Sequence, residues 1–124
     1  MKGQRIDKYD PKVTPWQINA QDFPAEGSPR EKLKFLLRYA ILAPSSHNSQ
    51  PWKFHIRDSE IDIFADKGRW LKVADADQRE LHISVGCALE NLLIAAEHFG
   101  YAHREEYFPG GEDSLVALVK LTPL

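Results

Sequence analysis

The stretch Ala43-Pro44-Ser45-Ser46-His47-Asn48-Ser49-Gln50-Pro51-Trp52 stands between a helical pattern upstream and an alternating pattern downstream, and its reading decides the rest of the chain. Pro44 ends a helix and Pro51 stiffens the exit, so the polar residues between them form a constrained loop. Ser45, Ser46 and Asn48 offer short donors and acceptors, and loops at such junctions commonly carry ligands. Ordinary turns use the same residue types to cap backbone groups, so composition alone leaves both readings open.

Upstream, Ser28-Pro29-Arg30-Glu31 has the pattern of a helix start, with Ser as N-cap, Pro at the first position and Glu three residues on. The helix is expected to reach about Ala43, with Leu33, Leu36, Leu37, Ala40 and Ile41 on its apolar stripe. Lys32, Lys34 and Arg38 then face solvent or an anion. Residues 1–28 mix charges with Pro11, Pro15, Pro24 and Gly27 and read as an extended arm. Its Trp16, Ile18 and Phe23 imply that it lies across its own domain or a partner. Residues 29–124 read as one domain.

Downstream, Lys53-Phe54-His55-Ile56-Arg57 and Glu60-Ile61-Asp62-Ile63-Phe64 alternate apolar with polar around Asp58-Ser59, the pattern of a hairpin. Asp77 to Phe99 reads as a long helix closed by Gly100. Leu81, Val85, Ala88, Leu89 and Leu92 are at helical spacing, while Ile83, Cys87, Leu93 and Ile94 fall elsewhere on its circumference. So wide an apolar surface predicts burial on several sides, at the domain centre or in a subunit interface. Tyr101 to Phe108 and Leu115 to Leu121 read as two further strands joined through Pro109-Gly110-Gly111. Helix, two strands, long helix and two strands predict an α+β layer fold, the long helix packed on an antiparallel-rich sheet.

Composition bounds the function. The 124 residues carry 16 Lys+Arg against 18 Asp+Glu, a net charge of −2, so no broad attraction draws nucleic acid or an anionic membrane. The single Cys87 excludes an internal disulfide and a Cys-based zinc site, and fits a cytoplasmic setting. No segment has the roughly 18 consecutive apolar residues of a membrane span.

Residues 40–54, which include Ala43-Pro44-Ser45-Ser46-His47-Asn48-Ser49-Gln50-Pro51-Trp52-Lys53-Phe54, resemble the signature of the flavin-dependent nitroreductase family, approximately A-P-S-x-x-N-x-Q-P-W-x-F. A second stretch, Arg79-Glu80-Leu81-His82-Ile83-Ser84 through Gly86, Asn91-Leu92 and Ala95-Ala96 to Gly100, is similar to the long central helix of that family, most closely its double-length branch. The resemblance spans roughly residues 33–121. It implies an FMN-binding nitroreductase-like fold, truncated at the C-terminus relative to the family. It also implies a homodimer, or a missing C-terminal half, with each flavin in the crease between two halves. The implied reaction is two-electron transfer from NAD(P)H through FMN to a nitroaromatic, a quinone or a similar small-molecule acceptor. A flavin-binding, storage or interaction module without turnover is the alternative. By the same resemblance Pro44, Ser45, Ser46 and Asn48 contact the flavin, with His47 and Gln50 supporting the loop. No protein nucleophile or general base is implied, because the cofactor carries the hydride chemistry. Where typical members grip the phosphate with an Arg-x-Ser segment, this chain offers only Ser28 and Arg30.

Other constellations are weaker. His82, Glu90 and His98 are eight residues apart, about 80° off per step, and do not share a metal-ligand face. His47 beside Ser45 and Ser46 is no triad by adjacency alone. Cys87 reads as a packed thiol, and Trp52 and Trp70 as packing residues more readily than stacking platforms.

Overall fold

A computed structural model describes residues 15–124, so the first half of the expected arm, with Pro11, lies outside the described residues. Helix α1 (Pro29–Ala40) starts with the reciprocal bonds its sequence announces. Ser28 Oγ accepts the Glu31 N–H at 3.1 Å, and the Glu31 carboxylate accepts the Ser28 N–H at 3.3 Å. The helix stops at Ala40 rather than Ala43, because Leu42 and Ala43 bond three residues back in a tighter turn before Pro44. Its buried face is Leu33, Phe35, Leu36 and Ala40. Leu37 and Ile41, expected on that stripe, are only half-buried. Phe35 takes the place because an aromatic cluster forms on its flank, with its ring 5.6 Å from both Phe23 and Phe99.

Strands β1 (Trp52–Arg57) and β2 (Glu60–Ala65) form the hairpin, with Phe54 opposite Ile63 and Ile56 opposite Ile61 on the helix-facing side. Strands β3 (Tyr101–Tyr107) and β4 (Leu115–Pro123) pair antiparallel, and β4 also lies against β2, giving the order β1-β2-β4-β3. Helix α2 (Arg79–His98) packs across this sheet and against α1. Ile61, Ile63, Val85, Leu92, Val119 and Leu121 close the core between them.

Helix α2 begins at Arg79 rather than Asp77. Gln78 at its N-cap is left-handed (φ 63°) and gives no side-chain cap, so capping falls to Asp77, whose Oδ1 accepts the Arg79 N–H at 3.2 Å, and to the buried Asp75. Asp75 Oδ1 accepts the Glu80 N–H at 2.9 Å and Oδ2 accepts the Leu81 N–H at 2.8 Å. Gly100 (φ 86°) makes the left-handed turn out of the helix into β3. Helix α2 is buried against both α1 and the sheet, with Leu93 in the core, while Ile83 and Ile94 are 52% and 58% exposed. The described part of the arm lies on its own domain. Phe23 stacks on Phe99 at 4.6 Å between the rings, and Arg38 donates to the Gln17 carbonyl at 3.3 Å, while Trp16 stays exposed.

The sheet face turned away from the helices is polar, with Lys53, His55, Arg57, Arg104, Glu106 and Lys120 exposed. Asp62 is buried among them, 2.9 Å from Arg57 Nε. Burial pushes its carboxyl up, but hydrogen bonds with Arg57 and Glu60 and the Arg57 charge outweigh it and hold the group below the usual carboxylate range. At the other edge His103 sits between two carboxylates, Nε2 2.7 Å from Glu97 on α2 and Nδ1 2.5 Å from Glu105 on β3. The bond to Glu97, then that to Glu105, raises its pKa against the opposing effect of burial.

Candidate functional site at the loop before the first strand

The loop between α1 and β1 is folded by its own short side chains. Ser45 Oγ accepts the Gln50 N–H at 2.9 Å, drawing the two ends of the loop together. A single helical turn over Ser46–Asn48 fills the middle, with Asn48 N–H bonded to the Ser45 carbonyl at 3.0 Å. His47 (φ 51°), Asn48 (φ 54°) and Gln50 (φ 48°) are all left-handed, a backbone that non-glycine residues adopt at a cost. Pro51 is fully buried and its carbonyl accepts the Asp66 N–H at 2.8 Å, which anchors the exit.

Three contacts from outside brace the loop. Ser46 N–H donates to Ser84 Oγ at 3.1 Å, and Ser46 Oγ donates to Glu80 Oε1 at 2.5 Å, both partners lying on α2. Arg69, in the turn Lys67–Arg69 after β2, donates to the Ser49 carbonyl at 3.3 Å. Behind this turn Trp70 Nε1 donates to the Asp75 carbonyl at 2.6 Å, so Trp70 packs structurally.

The candidate residues therefore divide by position. Pro44, Ser45 and Ser46 line a hollow of about 230 Å³ together with Glu80, Ile83, Ser84 and Cys87. His47, Asn48 and Gln50 are exposed on the loop, and the side chains of His47 and Asn48 make no hydrogen bond to another described residue. Cys87 is half-buried at the hollow rather than packed away. Glu80, Ser84, Cys87 and Arg69 escape the sequence reading as site residues. Spacings of three and four along 80, 83, 84 and 87 could have placed that set on one face of α2.

Ser28 and Arg30 do not join this group. They stand at the far end of α1, about 17 Å away at 1.5 Å per residue, beside a separate hollow. Ser28 is occupied as the helix cap, and Arg30 donates to the Ile56 carbonyl at 3.1 Å.

Two helices over a four-stranded antiparallel sheet form a fold shared with known structures. No family model matches the chain. A nitroreductase-like protein of Streptococcus mutans superposes with a TM-score of 0.64 at 15% identity, covering 77% of this chain and 78% of that one. The fold is nitroreductase-like. A second structure, described as a "putative nitroreductase in complex with FMN" from Exiguobacterium sibiricum 255-15, gives a TM-score of 0.58 at 19% identity over 82% of this chain and 80% of that one. In sequence, the chain is 32% identical over 95 residues to the "Putative NAD(P)H nitroreductase Rv3131" of Mycobacterium tuberculosis (strain ATCC 25618 / H37Rv), a match covering 76% of this chain. It spans about 28% of the length of that relative. Sequence and nitroreductase-like fold thus agree on the resemblance. No described helix is long and apolar enough to cross a membrane.

Proposed function

We propose that this chain forms one wall of an FMN site in a nitroreductase-like oxidoreductase that passes two electrons from NAD(P)H to a nitroaromatic, a quinone or a similar acceptor. The observation that carries the reading is the braced loop: three strained residues hold the polar side chains of His47 and Asn48 outward beside a hollow whose floor is α2. Backbone strain of this kind is retained where it positions a functional group. The FMN-bound structural relative and the curated name of the mycobacterial one support the same reading.

The residues fit the ring end of FMN. Asn48 offers an amide donor and acceptor to a ring edge, Ser45 and Ser46 offer hydroxyl oxygens, and Pro44, Ile83 and Cys87 give an apolar wall. Gln50 and His47 complete the loop. When bound, FMN supplies the hydride chemistry. The protein's part is to orient the ring and keep water from it. A hollow of about 230 Å³ is below the roughly 300 Å³ at which complete small-molecule sites begin, so this wall is one side of the site. Ser28 and Arg30 are committed at the other end of α1, so the phosphate needs residues from elsewhere. We infer a homodimer in which a second copy seats on the exposed Ile83 and Ile94 stripe of α2 and supplies them.

The deciding experiment is gel filtration of the chain after incubation with FMN, with the visible spectrum recorded across the peak. A flavin spectrum in a dimer-sized peak, bleached by NAD(P)H, is expected. Ile94→Asp should move the peak to monomer size and release the colour. A flavin that stays bound but does not bleach indicates a binding module without turnover, and a colourless protein removes the flavin reading.

A further inference from the structure

We propose that Ser84 and Glu80 are positioning residues that set the ligand-facing shape of the loop by holding Ser46. The proposal rests on the flavin reading above and adds two residues of α2 to it. Ser84 is 3% exposed, inside a helix, where a serine ordinarily bonds back along its own helix or faces solvent. Here its hydroxyl accepts the Ser46 N–H, a backbone group 38 positions away in sequence. One turn earlier the Glu80 carboxylate takes the Ser46 hydroxyl proton into a short charge-assisted bond. Both donors of Ser46 are therefore spent on α2.

Two consequences follow for a ligand in the hollow. Ser46 Oγ can accept a hydrogen bond from it but cannot donate one. Between the pinned Ser46 and the buried Pro51, His47 and Asn48 pass through the left-handed region and are exposed. Asn48 thus owes its presentation to residues that do not themselves need to touch the flavin.

The test uses the 124-residue chain with FMN as probe, in the variants Ser84→Ala, Ser84→Thr and Glu80→Ala. Amide hydrogen exchange at Ser46 and Asn48, followed by NMR without FMN, reads the loop; quenching of flavin fluorescence reads affinity. Ser84→Ala is expected to speed exchange at Ser46 about tenfold and weaken FMN binding about tenfold, the size of one lost hydrogen bond. Ser84→Thr, which returns the hydroxyl, restores both. Glu80→Ala, an exposed substitution that leaves the core intact, weakens FMN binding in the same direction. Unchanged exchange in Ser84→Ala and Glu80→Ala overturns the proposal even where FMN binds. Faster exchange with unaltered FMN affinity overturns it too. Failure of the unsubstituted chain to bind FMN instead overturns the flavin reading, and the role of Ser84 and Glu80 toward it, whatever the exchange shows.

Discussion

Asp75 holds the start of α2 through Leu81: its Oδ2 accepts the Leu81 N–H at 2.8 Å and both residues are buried. The other oxygen takes the Glu80 N–H, so one carboxylate satisfies two donors of the first turn. Asp75→Ala is expected to cost about 2–3 kcal/mol, since both charge-assisted bonds go and the buried Leu81 N–H loses its partner. Asp75→Asn, which keeps one acceptor, should lose about half of that. Urea unfolding of the three proteins gives the comparison, and equal midpoints would show that α2 is capped some other way.

His103 makes stability depend on pH. Its folded pKa lies above the ordinary 6.5, so the stabilisation from its bonds to Glu97 and Glu105 is present in full below the unfolded value and lost as pH rises through the folded one. His103→Gln is therefore expected to be clearly less stable than the parent at pH 6 and nearly equal to it at pH 9. Denaturant midpoints at the two pH values test this, and a gap of the same size at both would rule out a role for the imidazolium.

Asp62 carries the opposite sign. Its pKa is held down, so its contribution is present above the unfolded carboxyl value of 3.8 and disappears as pH falls through the folded one. Arg57→Ala removes the main counterweight to burial. The Asp62 carboxyl should then titrate above the ordinary range, and acid unfolding should begin at higher pH. Carboxyl-carbon NMR titration reads the shift directly, and a titration identical to the parent's would mean that His55 or water replaces the guanidinium.

His47 reports on the strain of the loop. At φ 51° an L-residue pays about 1–2 kcal/mol that glycine does not, against roughly 0.5–1 kcal/mol of added chain entropy for glycine. His47→Gly should therefore raise stability by up to about 1.5 kcal/mol while weakening FMN binding. A thermal melt paired with a flavin titration separates the effects, and a loss of stability would show that the left-handed turn is not strained.

Local signals in the sequence carried most of the elements. Ser28, Pro29 and Glu31 announce α1, and the alternation on either side of Asp58-Ser59 announces the hairpin, because capping and period are properties of neighbours in the chain. Features that depend on distant partners were hidden. Nothing in the sequence places β4 beside β2, or brings Ser84 to Ser46. Asp75 was missed as the cap of α2 because it bonds five and six residues ahead, past a left-handed Gln78, rather than at the usual two or three. Phe35 escapes the stripe reading because its ring neighbours Phe23 and Phe99 come from the arm and the end of α2. The loop residues were legible by resemblance, and their bracing by α2 was not.

The polar sheet face, with Lys53, His55, Arg57, Arg104, Glu106 and Lys120 on one side of the molecule, lies opposite the uncovered Ile83 and Ile94. A body so divided behaves as a small amphiphile. On an oil, an air bubble or a phenyl resin it will settle helix side down, hiding the loop.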